Sequence, residues 1–129
     1  MASNDSVKKG ARDAESESAL VSARRILDKR KDFRYGNSKL ENEFYALGLL
    51  TKGERLAAVD MALAEIRPKH RRGPNPPGNI STGGYRGRPL YAFNWFSKEY
   101  GSTMYLKFCL TGTTGVELLV LYSFHKDRP

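Results

Sequence analysis

The sequence predicts an α+β fold in which N-terminal helices pack on a small antiparallel β-sheet. Two periodicities carry that prediction. Up to Ile66 the apolar residues recur at the three- and four-residue steps of one helix face, whereas from Tyr91 onward they alternate with polar residues as along a strand. The two patterns are segregated along the chain, which argues for helices laid on one side of a meander.

Residues from Met1 to Ser18 are polar, of mixed charge and without an apolar period, and are expected to form a disordered tail; residues 19–129 are expected to form one domain. From Ala19 to Arg30, Leu20, Ala23 and Leu27 share a narrow stripe, with Arg24, Arg25, Lys29 and Arg30 assigned to the wet side. Tyr35-Gly36-Asn37 signals a turn. Ser38 followed by Glu41 has the spacing of a capping box at the head of a short helix through Phe44 and Leu47, which Gly48 stops. Thr51 and Glu54 repeat the capping pattern before a stronger helix in which Leu56, Val59, Leu63 and Ile66 align, and Pro68 opposes continuation past Arg67. The Gly/Pro-rich segment 69–88 is expected to be a long loop, because an ordinary connection needs only a few residues. Three strands follow, "PLYAFNWF", "TMYLKFCL" and "VELLVLYSFH", separated by the turns "SKEYGS" and "TGTTG".

The chain has 129 residues and a mass of 14.5 kDa, enough to bury a core without disulfides or a structural metal. Its 22 Lys+Arg against 14 Asp+Glu give a net charge of +8, which favours a polyanionic partner: RNA, DNA or an acidic protein. The single cysteine, Cys109, excludes an internal disulfide framework and suits a reducing cytoplasm. Only two histidines are present and no Cys/His cluster has zinc spacing, so no metal is expected. "GNISTGGYRG" is Gly-rich but lacks the Lys-Ser/Thr end of a phosphate-binding P-loop, so no nucleotide cofactor is expected. No apolar run is long enough for a membrane span, and the N-terminus has no signal-peptide core.

Two groups of residues carry candidate chemistry. Between Arg67 and Arg88 the chain places six cations, with His70 and Tyr85 among them and no acidic residue. Lys69, Arg71, Arg72, Tyr85, Arg86 and Arg88 therefore suit backbone tracking on nucleic acid, the cations on phosphates and the aromatic on a base. His70 reads as a loop residue. In the second strand Met104, Leu106, Phe108 and Leu110 share one face, leaving Thr103, Tyr105, Lys107 and Cys109 on the other; the third strand sets Val116, Leu118, Val120, Tyr122 and Phe124 against Glu117, Leu119, Leu121, Ser123 and His125. Should the register bring Ser123 and His125 to the Tyr105/Lys107 face, a phenol, an ammonium and an imidazole meet there. That set suits cleavage of RNA without a metal: His125 as proton carrier, Lys107 with Lys126 and Arg128 on the phosphate, Tyr105 as hydrogen-bond donor or stacking surface. The same residues also fit two other readings, a noncatalytic nucleic-acid-binding regulator and a protein-interaction module whose basic loop engages an acidic partner.

"MYLKF" followed by "LLVLYSFHKDR" resembles the C-terminal strand pair of the motility quorum-sensing regulator toxins, and "LGLLTKGE" echoes the helix that precedes their sheet. The resemblance implies a RelE-like fold, a bacterial ribonuclease toxin activity and an antitoxin or immunity protein as partner. It also implies Tyr105 and Lys107 as active-site residues, with His125 and Lys126 at the basic end. The chain departs from that pattern at Ala58, where the family carries a lysine, and only Asn94 stands near its strand glutamine.

Overall fold

Helix α1 spans Asn4–Arg30 in the computed structural model, which describes residues 4–74, 77–112 and 116–127. It starts well before Ala19, so most of the segment expected as a tail is helical. The apolar stripe of Leu20, Ala23 and Leu27 is buried as its spacing requires, and four and eight residues before Leu20 it continues as polar groups with partners. Ser16 is buried and accepts a hydrogen bond from the Arg71 guanidinium, while Arg12 donates to the carbonyls of Arg71 and Gly73. A helix face continued by Ser and Arg has no apolar signature, which is why hydropathy starts the helix too late. Arg24 also leaves the wet side assigned to it: its guanidinium donates to the carbonyls of Leu63 and Ile66 at 2.7 and 2.9 Å, closing the C-terminus of a neighbouring helix.

That neighbour is α3 (Lys52–Glu65), reached through β1 (Arg34–Tyr35) and α2 (Lys39–Ala46). The expected capping box at α3 forms, with Thr51 and Glu54 satisfying each other's backbone N–H groups. The one expected at α2 does not. Asn37 Oδ1 accepts from the N–H groups of Lys39 and Leu40, and Glu41 instead forms a two-bond pair with Arg55 of α3. Arg55 is only 8% exposed; it also donates to Leu49 O and Tyr35 Oη and lies over the Phe44 ring. One cation thus ties α2, α3 and β1 together.

After α3 a single 3₁₀ turn (Pro68–His70) leads to the short β2 (Arg71–Arg72), and the sheet is completed by β3 (Tyr91–Ser97), β4 (Ser102–Thr111) and β5 (Leu118–Lys126). The order is β1-β5-β4-β3-β2. β3, β4 and β5 pair antiparallel as expected; β2, inside the segment expected as a loop, adds antiparallel to β3, and β1 runs parallel to β5, so the five-stranded sheet is mixed. A two-residue strand carries too little alternation to be read beforehand. The helices cover one face, where Leu20, Phe44, Leu63, Phe93, Leu106 and Phe124 form the main core. Each such fully buried side chain contributes roughly 1.5–3 kcal/mol of transfer free energy. No helix among the described residues is long and apolar enough to cross a membrane.

The strand faces follow the expected alternation on β4 and depart from it on β5. Lys107 pairs with Ser123 but Phe108 pairs with Leu121, so Tyr122 is the extra residue of a β-bulge. The bulge reverses the faces along β5. Leu119 and Leu121 enter the main core with Phe124, while Leu118, Val120 and Tyr122 go to the far side with Cys109. Beyond the bulge β1 no longer covers β5, and α2 with the turn before it takes over: Asn37 of the turn donates to Tyr122 O and Glu43 of α2 accepts from Phe124 N–H at 2.8 Å.

Candidate functional site

The side of the sheet away from the helices is divided in two by the segment expected as a bare loop. Residues 78–90 fold back on themselves, with hydrogen bonds between Ile80 and Arg88, Gly87 and Ile80, and Leu90 and Gly78. Ile80, Tyr85 and Leu90 then pack on Cys109, Leu118, Val120 and Tyr122 as a second small core. Tyr85, expected to stack on nucleic acid, is a half-buried anchor of this flap. Cys109 is fully buried beneath it, and burial pushes its thiol up to about 11 despite the nearby Arg88 charge.

The other half of that face is reachable. Register puts Tyr105 opposite His125 and Lys107 opposite Ser123, so the phenol, ammonium and imidazole share one side of β4 and β5. The Tyr105 and His125 rings stack with centroids 5.3 Å apart, and Lys107 Nζ lies 5.8 Å from the Tyr105 centroid. His125 Nδ1 is 2.8 Å from Lys126 O. A carbonyl only accepts, so Nδ1 carries the proton and the neutral ring keeps its lone pair on Nε2. All three side chains are half-buried. Burial first, and the Asp127 carboxylate second, raise the Tyr105 phenol above its ordinary 10.0, so at neutral pH it is a donor and not a base.

Two residues of this face were not singled out as site residues from the sequence. Asp127 follows β5, its N–H bonded to Thr103 O, and its carboxylate accepts from Asn94 Nδ2 at 2.9 Å. Asn94, on β3, pairs with Tyr105, so the row across the sheet reads Asn94, Tyr105, His125. Strand alternation places Asp127 on this face two steps beyond His125, a signal that a strand end in "HKD" hides. The next row reads Arg72, Ala92, Lys107 and Ser123, which brings the exposed Arg72 of the sheet edge onto the same face across a small alanine.

The remaining expected cations divide. Arg86 and Arg88 are exposed on the flap, and Arg88 is close enough to act on the Cys109 thiol, two residues along β4 from Lys107. Lys69 is exposed on the 3₁₀ turn. Arg71 is 3% exposed: it donates to Ser16, Arg72 O and Pro74 O and lies over the Tyr91 ring, so it serves the fold and is not presented to a ligand. Lys126 pairs with the core residue Met104, which turns it to the opposite face from Tyr105; it lines a cleft with Lys39, Asn42 and Glu43 of α2 that His125 also borders at the sheet edge. Arg128 lies outside the described residues. His70 accepts from Arg67 N–H, and burial, then Lys69, Arg67 and Arg72, lower its basicity. On the helix side, an apolar groove of about 240 Å³ between α3, Trp95 and Tyr100 is rimmed by Glu54, Glu65 and Glu99, the opposite charge to the far face.

Comparison with protein-family models, with curated proteins and with solved structures returns no match for this chain.

Proposed function

We propose that this protein is a small endoribonuclease of bacterial toxin type, acting in the cytoplasm by attack of an RNA 2′-hydroxyl on the adjacent phosphorus. The observation that carries the reading is the Tyr105–His125 stack at 5.3 Å with the Lys107 ammonium over the same phenol ring, on the sheet side the helices leave uncovered. His125 Nε2 takes the 2′ proton, the 2′-oxygen bonds to phosphorus and the P–O5′ bond breaks, leaving a 2′,3′-cyclic phosphate. Tyr105, kept protonated by burial and by Asp127, gives its proton to the departing 5′-oxygen. The imidazolium returns a proton to the phenolate through water. Lys107 and Arg72, in one row across the sheet, neutralise charge on the phosphate oxygens, with Arg86 and Arg88 holding the flanking backbone. The resemblance to the motility quorum-sensing regulator toxins supports the same assignment for Tyr105 and Lys107, and an acidic antitoxin is the partner whose charge would mask these cations.

The test is incubation of the purified protein with RNA in EDTA. Product ends bearing 2′,3′-cyclic phosphate are expected, and they disappear in Lys107→Ala and His125→Ala while circular dichroism is unchanged. RNA left intact at high enzyme concentration overturns the reading. Salt-dependent binding with no product transfers the same residues to a noncatalytic binding module.

A further inference from the structure

The far face carries one charge that, beyond its effect on the Tyr105 proton, a phosphate site does not call for. Asp127 is a carboxylate on a surface otherwise occupied by Lys107, Arg72 and His125, and it is fixed in place by Asn94 Nδ2 and by its own N–H on Thr103 O. A negative charge there repels the RNA backbone. The part of RNA that attracts it is a base edge, which is uncharged and rich in N–H donors. Beside it, Phe96 is 63% exposed, one of the most exposed large apolar side chains of the protein. Phe96 pairs with Thr103, the residue whose carbonyl holds Asp127, and alternates on β3 with the buried Trp95 and Ser97, so it stands on the same face as Asn94 and Tyr105. It lies about 7 Å along the strand from Asn94.

We infer that Phe96, Asn94 and Asp127 form a base-recognition subsite for single-stranded RNA, with Phe96 stacking on the base and the Asp127 carboxylate accepting from guanine. Guanine is the base with two adjacent donors, N1–H and the N2 amine, and a carboxylate presents two acceptor oxygens to match them. Adenine and cytosine each set a donor beside an acceptor on that edge, and uracil sets one donor between two acceptors, so each meets the carboxylate with a mismatch. Stacking on an exposed aromatic needs an unpaired base, which makes the substrate single-stranded. The inference rests on the proposed reading of the Tyr105/His125 patch as the cleavage centre: the stacked nucleotide then adjoins the cleaved phosphodiester.

The experiment uses 2′-O-methyl oligouridine octamers carrying one central guanosine, adenosine, cytidine or uridine, which bind but cannot be cleaved, read by fluorescence anisotropy. Guanosine is expected to bind on the order of 10-fold or more tightly than the others. Asp127→Asn keeps shape and removes a repulsive charge, so it should hold or raise affinity for the all-uridine strand while erasing the guanosine preference. Phe96→Ala should weaken all four strands by about 5-fold or more, and Phe96→Trp should restore them. Equal binding of the four strands by the wild type, or unchanged binding in Phe96→Ala, overturns the subsite. Unmodified octamers run in parallel separate the two ideas. Cleavage without base preference removes the guanine subsite and leaves the ribonuclease, whereas guanosine-selective binding without cleavage keeps the subsite and removes the ribonuclease.

Discussion

Along β4 the far face changes character within one alternation step. Cys109 lies at 0% exposure under Ile80 of the flap, whereas Lys107 and Tyr105, next on the same side, are half-buried and reachable. β5 repeats the contrast, with Val120 sealed and Ser123 and His125 at the margin of the open half. The flap draws this boundary. It carries Ile80, Tyr85 and Leu90 as apolar feet and presents Arg86 and Arg88 outward, so one segment both closes a small core and brings cations to the open half. Side chains in the covered half therefore answer to stability, and those in the open half are free to carry the proposed chemistry.

Four experiments break or sharpen that contrast. The largest effect belongs to His125→Ala, expected to lower the rate of RNA cleavage by roughly 10²–10⁴-fold with little change in urea midpoint, because it removes a proton carrier from a half-buried position outside the core. A large fall in stability with it would place His125 in the covered half instead. Ile80→Ala should do the converse, costing about 2 kcal/mol in urea unfolding by emptying a buried site, with an intact Tyr105/His125 pair. An unchanged midpoint would mean that the flap is not packed.

The covered half also has a pH signature. The Cys109 thiol is raised from 9.0 to about 11 by burial, so above pH 9 the unfolded chain releases a proton that the folded chain keeps. Stability should therefore fall as pH rises through the window from 9 to 11, by on the order of 2 kcal/mol at its end. The phenols of Tyr105 and Tyr122, raised first by burial, add in the same direction. Urea unfolding at pH 8.5 and 10.5 should show a shallower decline in Cys109→Ala than in the wild type, and an equal decline would contradict the sealed thiol.

The smallest effects separate the arginines. Arg72→Ala and Arg88→Ala should each reduce the slope of log affinity against log salt by about 0.7 for single-stranded RNA, one phosphate contact apiece. Arg71→Ala should leave that slope alone and lower the melting temperature, since its guanidinium is spent on Ser16, Arg72 O and Pro74 O. A reduced slope in Arg71→Ala would return it to the binding surface.

The capping box of Thr51 and Glu54, the stop before Pro68 and the alternation of Met104 to Leu110 were legible because each depends on neighbours within a few residues. The start of α1 and the path of β1 were not. Ser16 and Arg12 find their partner in Arg71, some 55 and 59 residues away, and Tyr35 is a strand residue only beside Leu121. Among the candidate site residues, Tyr105 and Lys107 could be placed on one face from β4 alone, since the two are separated by a single alternation. Arg71 and Lys126 misled for different reasons: charge predicts exposure on average, but the Arg71 guanidinium with several acceptors is buried, whereas Lys126 is exposed on the other face because its pairing with Met104 puts it there.

The sequence by itself determined the class of the fold, the helix-covered face of β4 and the surplus of positive charge, all of which follow from composition and local period. Only the tertiary structure decided that a bulge at Tyr122 reverses β5, that the flap covers Cys109 and stops short of Lys107, and that Asp127 meets Asn94 across the central strand. Those outcomes depend on register and on contacts between distant segments, where a slip of one residue exchanges the two faces of a strand.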